Sequence, residues 1–140
     1  MSRTNRERPN GTESVVSEYV FDVRIVEVTG DSGETRYRFE APQHCGREFE
    51  SRELAELYAD VYFDVNGFEE AGTGERGIPP EVVQAGRDTL AAYFLTQPYS
   101  DAQWVASFYG RRPEKVERYA ERVRTRADEI REQVRERGLD

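Results

Sequence analysis

The stretch SDAQWVASFYGRRPEKVERY, residues 100–119, decides how the C-terminal half of this chain is read. It places Ala106 four residues before Gly110 and Val116 six residues after it. A small residue lets two helices approach closely where they cross. A glycine takes the positive φ that a sharp turn between them requires. Val105, Tyr109, Val116 and Tyr119 then fall on the inner side of both helices. The spacing predicts a short helix, capped by Ser100 and ending at Gly110. A long helix follows, opened by Pro113, since proline suits the first helical position.

The long helix is expected to run to about Arg137. Along it Val116, Ala120, Val123, Ala127, Ile130 and Val134 alternate in spacings of four and three, the pattern of a coiled-coil seam. A helix of about 25 residues outruns a small core. The seam is therefore expected to join two copies in a homodimer, with Arg122, Arg124, Glu129 and Arg131 flanking it. Upstream, Pro80 suits a helix start and EVVQAGRDTLAAYFLT continues to Pro98, with a centre apolar nearly all round. Residues 79–140 thus read as a three-helix module.

The N-terminal half has the other period. In YVFDVRIVEV, Tyr19, Phe21, Val23 and Ile25 alternate with polar residues, which predicts a strand. Val26 and Val28 shift the parity, as a bulge or a strand buried on both faces would. TGDSGE supplies a hairpin loop, TRYRFE a return strand and REFE a short third strand. Ser51 is placed to cap a helix whose stripe is Leu54, Leu57, Tyr58, Val61, Tyr62 and Val65, with Glu56, Asp60 and Asp64 facing out and Asn66-Gly67 ending it. The expected fold class is α+β. An unstructured tail spans 1–13, a β-hairpin or three-stranded sheet plus helix 14–68, a Gly/Pro-rich linker 69–78, and the helical module 79–140.

The chain has 140 residues and a net charge of −8, from 28 acidic residues against 20 basic ones, of which only Lys115 is a lysine. One cysteine, Cys45, excludes an intrachain disulfide, and with one histidine, His44, beside it a metal centre is not expected. No apolar run approaches the ~20 residues that cross a bilayer, and MSRTNRERPNGTES lacks the apolar core of a secretory signal. A cytoplasmic location is expected. GTGERG lacks the lysine of a phosphate loop, and one histidine limits acid–base chemistry, so neither a cofactor nor catalysis is expected. Trp104, Phe108 and Tyr109 could stack bases, but core packing of the short helix explains them better. The charge is uneven: residues 111–140 carry ten basic and eight acidic residues, the other 110 ten and twenty. The positive balance lies on the helical hairpin.

The hairpin resembles the helix-turn-helix family of DNA-binding proteins at Val105, Ala106, Tyr109, Gly110, Val116 and Tyr119. It departs at Arg111, where that family has an aliphatic residue. The resemblance implies a dimeric DNA-binding regulator of transcription whose reading helix offers Arg111, Arg112, Lys115, Arg118 and Arg122 to double-stranded DNA. Phe49, Ser51 and Ala55 resemble, at three positions, the arm domain of tyrosine recombinases. This implies a second contact through the sheet at Arg24, Arg36 and Arg38. An acidic chain almost free of lysine is similar to small proteins of halophilic archaea. At ~1 M salt, charges are screened within ~3 Å, so a net negative charge does not argue against DNA. The alternative is a non-catalytic module that uses the long C-terminal helix to bind another protein.

Overall fold

The computed structural model describes residues 5–8, 11–42, 44, 46–68 and 78–138. Five strands form one antiparallel meander in the order β1 (Asn5–Arg8), β2 (Gly11–Glu18), β3 (Arg24–Gly30), β4 (Thr35–Glu40) and β5 (Arg47–Phe49). Strand structure therefore reaches into residues 1–13, where an unstructured tail was expected. Glu13 shows why the segment is held: it pairs with Val28 in the β2–β3 register, and its carboxylate accepts two hydrogen bonds from Arg38, at 3.0 and 3.2 Å.

The expected strand through Tyr19 is interrupted. A single 3-10 turn, Val20–Asp22, joins β2 to β3, with Phe21 and Asp22 both at positive φ (62° and 60°). Phe21, expected inside, is 48% exposed. The parity shift has the second of its two expected causes within β3 itself, where Ile25 and Val26 point to opposite faces and both are buried. The bulge lies on the partner strand, where the β2 register slips between Val15 and Ser17. Gly30–Thr35 closes the next hairpin, with the Gly30 amide donating to the Glu34 carbonyl at 2.9 Å.

Helix α1 (Arg52–Asp64) begins as the sequence predicts, with the Ser51 hydroxyl accepting from the Leu54 amide at 3.2 Å. It lies between the sheet and the long helix α5 (Pro113–Glu136). That position corrects the expectation that Asp60 and Asp64 face out. Asp60 is buried against Arg131 at 3.0 Å, and Asp64 meets Arg126 at 2.8 Å. An amphipathic stripe in one helix names the face toward the first packing partner only, and α1 has two partners.

The expected helix from Pro80 to Pro98 is two helices, α2 (Pro80–Ala85) and α3 (Arg87–Leu95). The break is Gly86, whose φ of 118° and ψ of 177° no side chain tolerates well. Helix α4 (Ala102–Tyr109) is capped by Asp101, not Ser100: the Asp101 carboxylate accepts from the Trp104 amide at 2.8 Å. Gly110 follows in the left-handed region (φ 65°, ψ 40°), and the Arg111 amide closes onto the Ala106 carbonyl at 2.8 Å. A Cβ on Gly110 would meet no atom within 4 Å, so Gly110→Ala carries only the backbone cost, about 1 kcal/mol. A thermal melt should show this loss without loss of cooperativity; an unchanged melt would mean that the turn does not depend on positive φ.

The core overturns two expectations. One buried cluster joins Ile25, Phe39 and Phe49 of the sheet, Tyr58 and Val61 of α1, Tyr93 of α3, and Ala120, Val123, Ala127 and Val134 of α5. The two halves therefore share a core where separate modules were expected. Most of the linker expected at 69–78 lies outside the described residues, but Ile78 packs on this core. The second overturned expectation is the dimer seam. Val116, Ala120, Val123, Ala127 and Val134 are all buried within the chain's own fold, and Ile130 is half-buried. The stripe meets α1, α3 and α4, so it is not free to meet a second copy or another protein.

Candidate nucleic-acid interface

Helices α3, α4 and α5 pack around a second small core of Ala91, Phe94, Val105, Ala106, Val116 and Tyr119. Four of the six positions that carried the family resemblance, Val105, Ala106, Val116 and Tyr119, are in it. Tyr109 packs against it, and Gly110 makes the turn. Arg111, at the position where an aliphatic residue was looked for, is exposed.

The cations of this unit are arranged differently from those elsewhere. On the sheet, Arg24 pairs with Glu40 at 2.7 Å, Arg36 with Glu48 at 3.3 Å, and Arg38 with Glu13 and Glu40 at 3.0 and 2.7 Å. Burial works against the charge of Glu40, but the two guanidiniums hold its carboxyl below the ordinary value. These three arginines, expected as a second DNA contact, are brought together on one sheet face, and carboxylates already balance them. In the C-terminal half of α5, Arg124, Arg126, Arg131 and Arg135 all pair with acids as well. Arg126 bridges Asp64 and Asp88 and also bonds the Thr89 hydroxyl at 3.2 Å. Although burial opposes its charge, these bonds keep the Asp88 carboxyl below its ordinary value.

Arg87, Arg111, Arg112, Lys115, Arg118 and Arg122 belong to no ion pair among the described residues. Five of these six are the predicted reading residues. Lys115, Arg118 and Arg122 recur at three and four, so they share one stripe of α5, with Arg111 and Arg112 just before it. Glu114, Glu117 and Glu121 recur at the same spacing and form the neighbouring stripe. The sequence reads as mixed charge, but the helix separates the signs.

The cations converge on two tyrosines. The Lys115 ammonium and the Arg122 guanidinium lie 5.6 and 6.0 Å from the Tyr119 ring centre, and Arg87 lies 5.7 Å from that of Tyr109. Desolvation alone would raise the Tyr119 phenol, but the Arg87 and Arg111 guanidiniums near it hold it below the ordinary value. Arg87 is the functional candidate that the sequence does not single out. It lies far from the hairpin in sequence, at the first turn of α3, and only the packing of α3 across α5 brings it there.

The aromatic residues of α4 correct another expectation. Trp104 and Phe108 are not core. They stack at 5.4 Å with ring planes 9° apart, and with Tyr99 they are 36, 58 and 54% exposed. Ring contacts continue from Phe108 to Tyr109 at 5.0 Å and from Tyr109 to Tyr119 at 6.2 Å. The exposed rings are thus continuous with the cation cluster.

His44 is packed among rings, 4.9 Å from Phe39, and its Nε2 is 2.8 Å from the Tyr58 hydroxyl. Cys45 lies outside the described residues. No group of three or more His, Cys, Asp or Glu side chains is placed to hold a metal among the described residues, and no described helix is long and apolar enough to cross a membrane. A 490 Å³ cleft lined by Glu18, Asp22, Arg24 and Glu40 opens at the 3-10 turn. Fold and surface define a small α+β protein in which a left-handed turn at Gly110 joins α4 to α5. Comparison with known proteins finds no matching family model, no matching curated protein and no matching solved structure.

Proposed function

We propose that this protein binds double-stranded DNA, as a regulator would, through α5 and the turn that precedes it. The observation that carries the reading is the stripe of cations without carboxylate partners, among the described residues, in an acidic chain. Arg24, Arg36, Arg38, Arg52, Arg124, Arg126, Arg131 and Arg135 find carboxylates, whereas Arg111, Arg112, Lys115, Arg118 and Arg122 find none among the described residues. Unpaired cations side by side repel one another, and a phosphate backbone offsets that repulsion; the net charge of −8 opposes the approach of DNA, and salt screens that opposition. The turn at Gly110 and the small residue Ala106 in the core let α4 and α5 pack closely, which supports a hairpin able to offer its stripe to a groove. The sheet arginines Arg24, Arg36 and Arg38 carry no part of this reading.

Trp104 is the single tryptophan and lies at the edge of this surface, so its fluorescence should report binding directly. Titration with random-sequence duplex across a salt series should give a linear log–log dependence. Replacing Arg112, Lys115 and Arg118 together by Ala should weaken binding and reduce the slope by about three, close to one for each phosphate no longer neutralised. Equal affinity and slope in the triple variant would remove the assignment.

A further inference from the structure

We propose that Arg87, Arg111, Lys115 and Arg122 form a seat for one phosphate group around Tyr119. Three elements build it: the first turn of α3, the turn after α4, and the first turns of α5. Arg87 lies 5.7 Å from the centre of the Tyr109 ring, which is itself in ring contact with Tyr119 at 6.2 Å, and the charges of Arg87 and Arg111 both act on the Tyr119 phenol. Lys115 and Arg122 stand one turn before and one turn after that residue, each within about 6 Å of its ring centre. Four cations held this closely repel one another. None is neutralised by a carboxylate among the described residues, although Glu114, Glu117 and Glu121 lie on the same helix.

The arrangement fits an anion with several acceptor oxygens. Guanidiniums present forked donors that match phosphate oxygens in pairs, and an ammonium adds a point charge. Tyr119 is 3% exposed, so it forms a floor that fixes the donors from below. Arg87 also lies over the Tyr109 ring, 5.7 Å from its centre. The Tyr109 hydroxyl beside it is buried without a hydrogen-bond partner. A buried polar atom left so is costly and uncommon, and a bound phosphate or its water shell would supply a partner.

This inference deepens the DNA reading and rests on it for the source of the phosphate, which is the duplex backbone; a free phosphate group shares the chemistry. Two measurements separate the sources. In the first, the full chain carrying ring-labelled tyrosine is titrated with inorganic pyrophosphate and followed by NMR. The Tyr119 signal should shift saturably, and Arg87→Ala should weaken the affinity at least tenfold, with Arg87→Lys recovering part of it. Arg135→Ala, an equal loss of charge at the far end of α5, should change it less than twofold. In the second, the salt slope for duplex should fall by about one in Arg87→Ala.

A saturable shift lost in Arg87→Ala, with the duplex slope reduced, supports both readings. The same shift with no duplex binding at all keeps the seat as a site for a free phosphate group and removes the DNA reading. Duplex binding with an unchanged slope in Arg87→Ala, and no saturable shift at Tyr119, overturns the seat and leaves the DNA reading standing. A circular dichroism melt of each variant separates loss of binding from loss of fold. If Arg87→Ala does not fold, Arg111→Ala takes its place in both measurements with the same expected outcomes.

Discussion

Val123→Asp should leave the chain unfolded, with no cooperative transition in a thermal or urea melt. Val123 is fully buried, in the cluster that joins α5 to α1, α3 and the sheet. Removing its side chain from that cluster forfeits roughly 1.5–3 kcal/mol. Placing a carboxylate there adds several kcal/mol, because the group must either lose its hydration or protonate. Domains are stable by only about 5–15 kcal/mol, so the sum consumes most or all of the margin. The seam reading makes the opposite prediction: a charge in a dimer interface would give a folded monomer. Far-UV circular dichroism with sedimentation of the variant decides between them. A folded monomeric Val123→Asp from a dimeric wild type would return the stripe to an intermolecular role.

The case of this stripe shows what sequence conveys and what it withholds. The heptad spacing of α5 correctly gave a helix with one apolar face. Periodicity contains no information on whether that face meets its own chain or another. What decided it was α1, whose second face is written in charges. Asp60 and Asp64 look like solvated surface until Arg131 and Arg126 are found opposite them. Partners 62 and 71 residues away leave no local signal. The same holds for Arg87, which reaches Tyr119 only through the packing of α3 on α5.

Local chemistry was more legible. Ser51 caps α1, Pro113 opens α5, and Gly110 takes positive φ, because each depends on nearest neighbours alone. Gly86 is a local signal of a different kind. A glycine inside an apolar helical run is often tolerated, but here it carries the break between α2 and α3. The reading residues Arg111, Arg112, Lys115, Arg118 and Arg122 could be named from the turn. Their freedom from carboxylates among the described residues could not, since it is a property of the whole ion-pair pattern.

Arg131→Met should destabilise the fold strongly at alkaline pH and much less in mild acid. Arg131 is buried, with Nη2 at 3.0 Å from Asp60 and 2.6 Å from Asp128, and its guanidinium lies 4.9 and 5.0 Å from the ring centres of Tyr19 and Phe63. Burial pushes the Asp60 carboxyl up to about 6, against the pull of Arg131, and Asp128 adds to the rise. A carboxyl raised in the folded state binds its proton more tightly there than in the unfolded chain. Its contribution is therefore fully present below about pH 4 and is lost as the pH rises through about 6. Above that, Asp60 is charged and Arg131 is what balances it. Removing one partner of a buried pair costs about 3–5 kcal/mol, because the other is left charged and dry. Near pH 8, urea denaturation of Arg131→Met should show a loss of that size. Near pH 5 the proton on Asp60 replaces the missing cation, and the loss should fall to less than about half. Asp128 is 76% exposed in its side chain, so water takes over from Arg131 there. The double variant Asp60→Leu, Arg131→Met should return to within about 1 kcal/mol of wild type, since exchanging a buried pair for apolar groups is often neutral. The Arg131 Nη1, buried without a partner, points the same way: the pair is not fully satisfied even in the wild type. Equal losses at the two pH values would show that packing on Tyr19 and Phe63, rather than the charge of Asp60, is what Arg131 supplies.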